Sequence, residues 1–265
     1  MFSSGSQQKK VGVIGVGAIG GAVCKALQGG IDGFTLHGVS DPALTQDFNV
    51  PNLTQDDLIA QCDLIVEALP PSAAQDLARK CLTARRDMIM ISACALLTAP
   101  DILDQARVNE SRIIVPSGAL TGIDGVSSMK NLGIISASIA STKKPLAYAG
   151  APYITDNNID LDNITEKTQI FAGNALEAAK GFPANLNVAA TLSLAGIGAE
   201  NTGVEIWADP DIAGNCHEIT VKGEFSTMTA RVENTPDPQN PKSSMLAAQS
   251  IIATLRNASA SLVVL

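Results

Sequence analysis

Aromatic residues are scarce, at 3% of 265 residues, with one tryptophan and two tyrosines. The core must therefore be built from Ala, Val, Ile and Leu, the aliphatic set that suits helices packed on a parallel sheet. Cationic excess is also missing. Eighteen Lys and Arg stand against 26 Asp and Glu, for a net charge of −8. Phosphate backbones and anionic membrane surfaces need clustered Lys and Arg, so no nucleic acid and no membrane partner is expected. No apolar run approaches the roughly 18 residues of a membrane span, and the first ten residues carry no apolar leader core. The five cysteines (Cys24, Cys62, Cys81, Cys94 and Cys216) follow neither zinc-site nor CxxC spacing, so no metal is expected. An odd set of thiols without a leader points to a reducing, cytoplasmic location. Histidine is rarer still, with two in the chain.

What is present is apolar and periodic. Hydrophobic residues make up 46% and charged residues 17%, the balance of a folded globular chain. The first part alternates strand and helix patterns. Strands are expected over 11–15, 34–40, 64–69, 87–92 and 112–115. Helices are expected over 18–28, from an N-cap at Ser72 to Cys81, and over 100–109. Repeated strand–helix–strand units predict an α/β fold with a doubly wound parallel sheet. Beyond residue 118 the texture changes. Two strands around a turn are expected over 134–140 and 143–149, then a polar loop over 157–165. Helices follow over 174–181 and 188–199, strands over 204–208, 218–223 and 227–234, and a last helix over 243–258. The expected division is a dinucleotide-binding Rossmann domain over 1–118, an α+β substrate and dimerisation domain over 119–242, and a C-terminal helix over 243–265 returning to the first domain.

The run Gly15-Val16-Gly17-Ala18-Ile19-Gly20 leaves an apolar strand and opens a helix. Asp41 ends the next strand, about twenty residues on. Together these form the dinucleotide fingerprint. Gly15 permits the tight turn, Gly17 lets backbone approach a pyrophosphate, and Gly20 lets the helix pack on the sheet. Ala18 and Ile19 bring the helix N-terminus to the phosphates. Asp41 would accept the ribose hydroxyls and repel a 2′-phosphate. NAD is therefore the expected cofactor, with NADP possible. Glu67, Pro70 and Ser72 fall at the carboxyl end of the sheet, where such folds bind ligands; an ordinary turn explains them equally well.

Of the two histidines, His37 falls mid-strand and needs no role beyond structure. His217 falls just before an alternating strand, in a loop rich in Asp and Asn. An imidazole there could exchange protons near neutrality, or it could be an ordinary surface residue.

Four segments carry a resemblance. They are Pro116-Ser117-Gly118-Ala119; Phe182-Pro183-Ala184-Asn185-Leu186-Asn187; Ala208-Asp209-Pro210 with Asn215-Cys216-His217-Glu218; and Asn240-Pro241-Lys242-Ser243-Ser244. In this order and spacing the chain resembles the L-aspartate dehydrogenase family, from Val11 to about Leu255. The resemblance implies oxidation of L-aspartate to iminosuccinate with NAD or NADP, then hydrolysis to oxaloacetate and ammonia, with the imine feeding NAD biosynthesis. It implies a homodimer, a catalytic role for His217, and Ala119 and Asn187 at the nicotinamide end. A dicarboxylic amino acid needs cationic or amide donors. The candidates are Lys143, Lys144, Lys242, Asn185, Ser243 and Ser244. A solvated hairpin is an equal reading of the paired lysines, and a helix start is one of Lys242 to Ser244. Two rival functions share the glycine fingerprint. One is a related two-domain reductase of the dihydrodipicolinate reductase or homoserine dehydrogenase type. The other is a non-enzymatic NAD(H) sensor, which needs no proton-transfer residue.

Overall fold

Strand β1 (Lys9–Ile14) ends in four consecutive buried residues, the pattern of a strand covered on both faces. It belongs to a parallel sheet in a computed structural model that describes residues 8–235 and 245–264. Helix α1 (Ala18–Gln28) follows, then β2 (Phe34–Ser40), α2 (Gln55–Gln61), β3 (Leu64–Glu67) and α3 (Pro71–Thr83). Next come β4 (Asp87–Met90), α4 (Cys94–Leu97), α5 (Asp101–Val108) and β5 (Ile113–Ile114). The sheet order is β2-β1-β3-β4-β5, and every pairing is parallel. Strand order reverses between β1 and β3, which creates a switch point at the carboxyl ends of the strands.

The chain divides into two units, at Gly118–Ala119 and again before Met245. The first unit regains the C-terminal helix α10 (Met245–Ser259). Ile251, Ile252 and Leu255 of this helix join Val23 and Leu27 in one core. Each such aliphatic side chain contributes about 1.5–3 kcal/mol on burial. The backbone N–H of Gly118 also donates to Ser250 Oγ at 3.1 Å.

The second unit contains α6 (Ile123–Leu132), β6 (Ile134–Lys143), α7 (Pro152–Asp156), β7 (Thr168–Asn174), α8 (Ala175–Gly181) and α9 (Asn187–Ala195). Strands β8 (Thr202–Ala208), β9 (Asn215–Gly223) and β10 (Thr227–Asn234) complete it. Its mixed sheet runs β10-β9-β6-β8-β7, with only β6 and β8 parallel. Alternation places Ala137, Ile139 and Ser141 of β6 on the buried face, with Ile219 and Val221 of β9.

Several expected elements are corrected. The two strands around a turn are one strand, β6; nothing in 134–143 breaks the extended backbone. Residues 145–148 form a 3₁₀ turn opened by Pro145, so Lys143-Lys144 is no hairpin. Ser72 is no N-cap: α3 starts one residue earlier, with proline at its first position. Helix α6 falls within 119–133, over which no element was expected. Gly122 caps it at φ +79°, and a Cβ at Gly125 would meet Met228 Sδ at 2.7 Å. Helix α2 and strand β7 were also unanticipated. Thr54 caps α2 by accepting from the Asp57 N–H at 3.1 Å, and β7 pairs only with β8.

Candidate active site

The glycine turn is built almost wholly from backbone. Gly15 has φ +84°, and a Cβ there would lie 2.5 Å from the Ala68 carbonyl oxygen. A Cβ at Gly20 would lie 1.9 Å from the Gly15 oxygen, so only glycine lets α1 start this close to the turn. Gly17 is exposed, and nothing stands within 4 Å of its Cβ position. Helix α1 begins there with no side-chain cap and no acidic residue in its first turn. Ala18 is exposed and Ile19 half-buried on that turn. An uncapped helix N-terminus beside an open Gly17 fits a pyrophosphate, so these residues fit a bound dinucleotide.

Asp41 also supports the turn. Its Oδ2 accepts the Val16 N–H at 2.6 Å, and its Oδ1 accepts the Ala43 N–H at 2.8 Å. Asn52 clamps the backbone of Asp41 from both sides: its Oδ1 accepts the Asp41 N–H at 3.1 Å, and its Nδ2 donates to the Asp41 carbonyl at 2.9 Å. No sequence signal marked Asn52, because the clamp closes through an isolated bridge between Val39 and Asn52.

In the second unit, His217 lies within strand β9 and not in a loop, and it is 3% exposed. The strand begins two residues before it and pairs His217 with Ser141 of β6. Ser141 Oγ lies 2.9 Å from His217 Nδ1. Burial, and then the charge of Lys143, push the imidazole pKa down to about 3. The near-neutral titration expected of an open loop does not hold.

Lys143 ends β6, two residues after Ser141 and on the same face. Its Nζ donates to Asn185 Oδ1 at 3.0 Å and lies 5.9 Å from the centre of the Tyr148 ring. Burial lowers its pKa to about 8. Among the described residues, no carboxylate forms an ion pair with it. The floor of this cluster is aromatic. Tyr148 is 1% exposed and donates to the Trp207 carbonyl at 3.1 Å. It meets Phe182 edge-on at 6.0 Å, and Phe182 also packs against Tyr153 at a tilt and Phe171 edge-on. Both tyrosines of an aromatic-poor chain thus anchor the turn that carries Asn185. Ser141 and Tyr148 were missed by sequence reasoning. Strand parity over 134–143 would have marked Ser141, had the segment been read as one strand.

The remaining expected residues are spread more widely. Ala119 is buried at the start of the second unit. Asn187 is the first residue of α9, partly buried, and its carbonyl accepts from Thr191 Oγ1 at 3.0 Å. Lys242, Ser243 and Ser244 lie outside the described residues. Glu67 ends β3 fully buried, while Pro70 and Ser72 are exposed. All five cysteines are buried, and burial pushes the thiols of Cys24, Cys81 and Cys94 up to about 12. Among the described residues, no group of His, Cys, Asp and Glu could hold a metal ion.

Comparison with known proteins matches residues 124–258 to the model "Aspartate dehydrogenase, C-terminal" and residues 15–116 to "Homoserine dehydrogenase, NAD binding domain". The L-aspartate dehydrogenase of Methanosarcina barkeri is 40% identical over 93% of this chain and 96% of its own length. That of Bradyrhizobium diazoefficiens is 40% identical over 98% and 95%. The solved aspartate dehydrogenase of Thermotoga maritima superposes with a TM-score of 0.78 at 26% identity, covering 97% of this chain and all of that one. A scyllo-inositol dehydrogenase from Lactobacillus casei, 13% identical with a TM-score of 0.54, shares the fold alone.

Proposed function

We infer the roles of individual residues from one premise: the chain belongs to the aspartate dehydrogenase family. It is an NAD(P)-dependent oxidoreductase acting on the CH–NH2 group of L-aspartate. The homoserine dehydrogenase match is confined to the nucleotide-binding part, so it does not compete for the substrate. The observation that carries the residue assignment is the cluster of Lys143, Asn185, Ser141 and His217, which lies within the segment matched to the aspartate dehydrogenase model.

The pyrophosphate is assigned to Gly15, Gly17, Ala18, Ile19 and Gly20, the ribose to Asp41, and the nicotinamide end to Ala119 and Asn187. When bound, NAD(P) supplies the hydride acceptor. The protein's task is to orient the substrate and move protons. Lys143 is a half-buried cation with an amide neighbour and, among the described residues, no carboxylate partner, and it is assigned to a substrate carboxylate, with Asn185 fixing its direction. His217 is assigned to proton transfer. The substrate ammonium must lose a proton before its Cα hydrogen can leave as hydride with its electron pair. The product is iminosuccinate, which water converts to oxaloacetate and ammonia. A base role requires the tautomer in which Nδ1–H donates to Ser141 Oγ, leaving the Nε2 lone pair free. A pKa pushed down to about 3 keeps that lone pair unprotonated at neutral pH in the free protein. The carboxylates of a bound substrate, by countering Lys143, raise its basicity when it is needed.

The proposal extends to a homodimer in the cytoplasm, with product feeding NAD biosynthesis. Five buried cysteines, an odd number, suit a reducing compartment, and among the described residues no helix is long and apolar enough to cross a membrane. Purified protein mixed with NAD and L-aspartate should generate NADH absorbance, and NADH should be consumed with oxaloacetate and ammonia. Absence of turnover in both directions would overturn the assignment, and sedimentation of the same sample tests the dimer.

A further inference from the structure

Glu67 is 0% exposed, yet it is a carboxylate. It is the last residue of β3, in register with Ile14 of β1 and Met90 of β4. Its Oε1 accepts the Leu69 N–H at 2.6 Å and its Oε2 accepts the Ser92 N–H at 3.0 Å. Ser92 Oγ closes the ring by donating to the Leu69 carbonyl at 2.7 Å. Two of these hydrogen bonds join the chain leaving β3 to the chain leaving β4, and the third, from the Leu69 N–H, fixes the carboxylate on its own segment.

The same segment carries the floor of the glycine turn. The Ala68 N–H donates to the Ile14 carbonyl at 2.9 Å. The Cβ position of Gly15 lies 2.5 Å from the Ala68 oxygen and 3.0 Å from Leu69 Cδ2. Gly15 packs on residues 68–69 with no room for even a Cβ, so the position of this segment sets the floor of the turn. Burial raises the Glu67 pKa, opposed only by hydrogen bonds from Ser92, Leu69 and Ile91. An apolar side chain would avoid that desolvation cost but would leave two buried N–H groups without acceptors.

We propose that Glu67 is a positioning residue for the cofactor: its buried carboxylate locks the exits of β3 and β4 together and against the glycine turn. It touches the backbone that forms the nucleotide site and takes no part in proton or hydride transfer. The inference rests on the dehydrogenase reading for the cofactor.

The test is Glu67→Gln in the full chain, read by NADH fluorescence titration alongside steady-state kinetics. The glutamine amide turns a donor toward one of the two N–H groups. Losing one charge-assisted hydrogen bond should weaken NADH binding roughly 10- to 100-fold. The KM for NAD should rise in parallel. At saturating NAD, kcat and the KM for aspartate should stay within about twofold. Ser92→Ala keeps the carboxylate and the Ser92 N–H and removes the hydroxyl, with its bond to the Leu69 carbonyl and its side-chain hydrogen bond to Glu67. It should weaken NADH in the same direction by roughly 2- to 10-fold, and it reads the proposal even if Glu67→Gln does not fold. An unchanged NADH affinity in either folded variant, or a fall in kcat with NADH binding intact, would overturn the positioning role. A wild-type chain that binds no NADH would sink the cofactor reading itself, and this inference with it.

Discussion

The two units make their sites from different materials. In the first, the glycine turn is backbone: three glycines, an uncapped helix N-terminus, and carboxylates (Asp41 and Glu67) that accept backbone N–H groups. In the second, the cluster is side chain against side chain. Ser141 meets His217 across 76 residues of sequence, and Lys143 meets Asn185 across 42. A backbone site tolerates few substitutions but is local in sequence. A side-chain site is assembled by sheet register, and each member can be changed without moving the fold. Variants in the second unit should therefore alter chemistry and substrate affinity, and variants in the first should alter cofactor affinity.

The sharpest way to break this contrast is His217→Ala. It should lower kcat by ~10²–10⁴, the usual weight of a proton-transfer group, with NADH affinity unchanged in a fluorescence titration. A loss of NADH binding would move His217 into the cofactor site and erase the division of labour. Stability has a sign of its own. The His217 pKa is lowered from 6.5 to about 3 in the fold. Between those values the unfolded chain binds the extra proton, so acidification through this window destabilises the wild type. The variant should lose that part of the slope in a series of melting curves.

The same contrast explains what could be read from the chain alone. The glycine run, its strand, its helix and Asp41 all lie within thirty-odd residues, and periodicity placed α1, β2 and β10 at their observed bounds. The environment of His217 could not be read this way. Its burial depends on β9 pairing with β6, a register that local pattern does not encode, and its charge neighbour arrives on a strand that looked like a hairpin. Lys143 and Asn185 were marked as donors for a dicarboxylate, but their hydrogen bond and their aromatic floor were invisible. Asn52 and Ser141 carry no motif at all. Glu67 was visible only as a residue at the carboxyl end of the sheet; its ring of backbone partners required β3 and β4 to lie side by side.

A smaller effect is expected at Lys143. Removing the cation in Lys143→Met should raise the KM for aspartate by roughly 10- to 100-fold, the range for a hydrogen bond to a charged group, with the KM for NAD unchanged. Its pKa is lowered from 10.5 to about 8. Two opposite slopes follow. The free protein should gain stability as pH rises from about 8 to 10.5, because the unfolded chain still holds the proton there. Aspartate should bind more weakly over the same rise, because the cation that grips its carboxylate is lost. If the KM for aspartate is flat through pH 8, Lys143 does not hold the substrate and the second unit's cluster must be reassigned.

The smallest effect is the one that tests the first unit most finely. Asp41 spends one oxygen on the Val16 N–H and the other on the Ala43 N–H, yet each oxygen keeps a lone pair for a ribose hydroxyl. Asp41→Ala therefore removes two contributions at once. It loosens the glycine turn, which should weaken NADH and NADPH alike. It also removes the ribose acceptor and the repulsion of a 2′-phosphate, which should penalise NADH and relieve NADPH. We expect NADH affinity to fall by about tenfold and NADPH affinity to move less. Asp41→Asn separates the two contributions, since its Oδ1 can still accept one backbone N–H while the charge is gone. Equal losses for both cofactors in Asp41→Ala would make Asp41 purely a brace of the turn. An unchanged NADH affinity would remove it from the nucleotide site and leave the glycine backbone to bind the cofactor unaided.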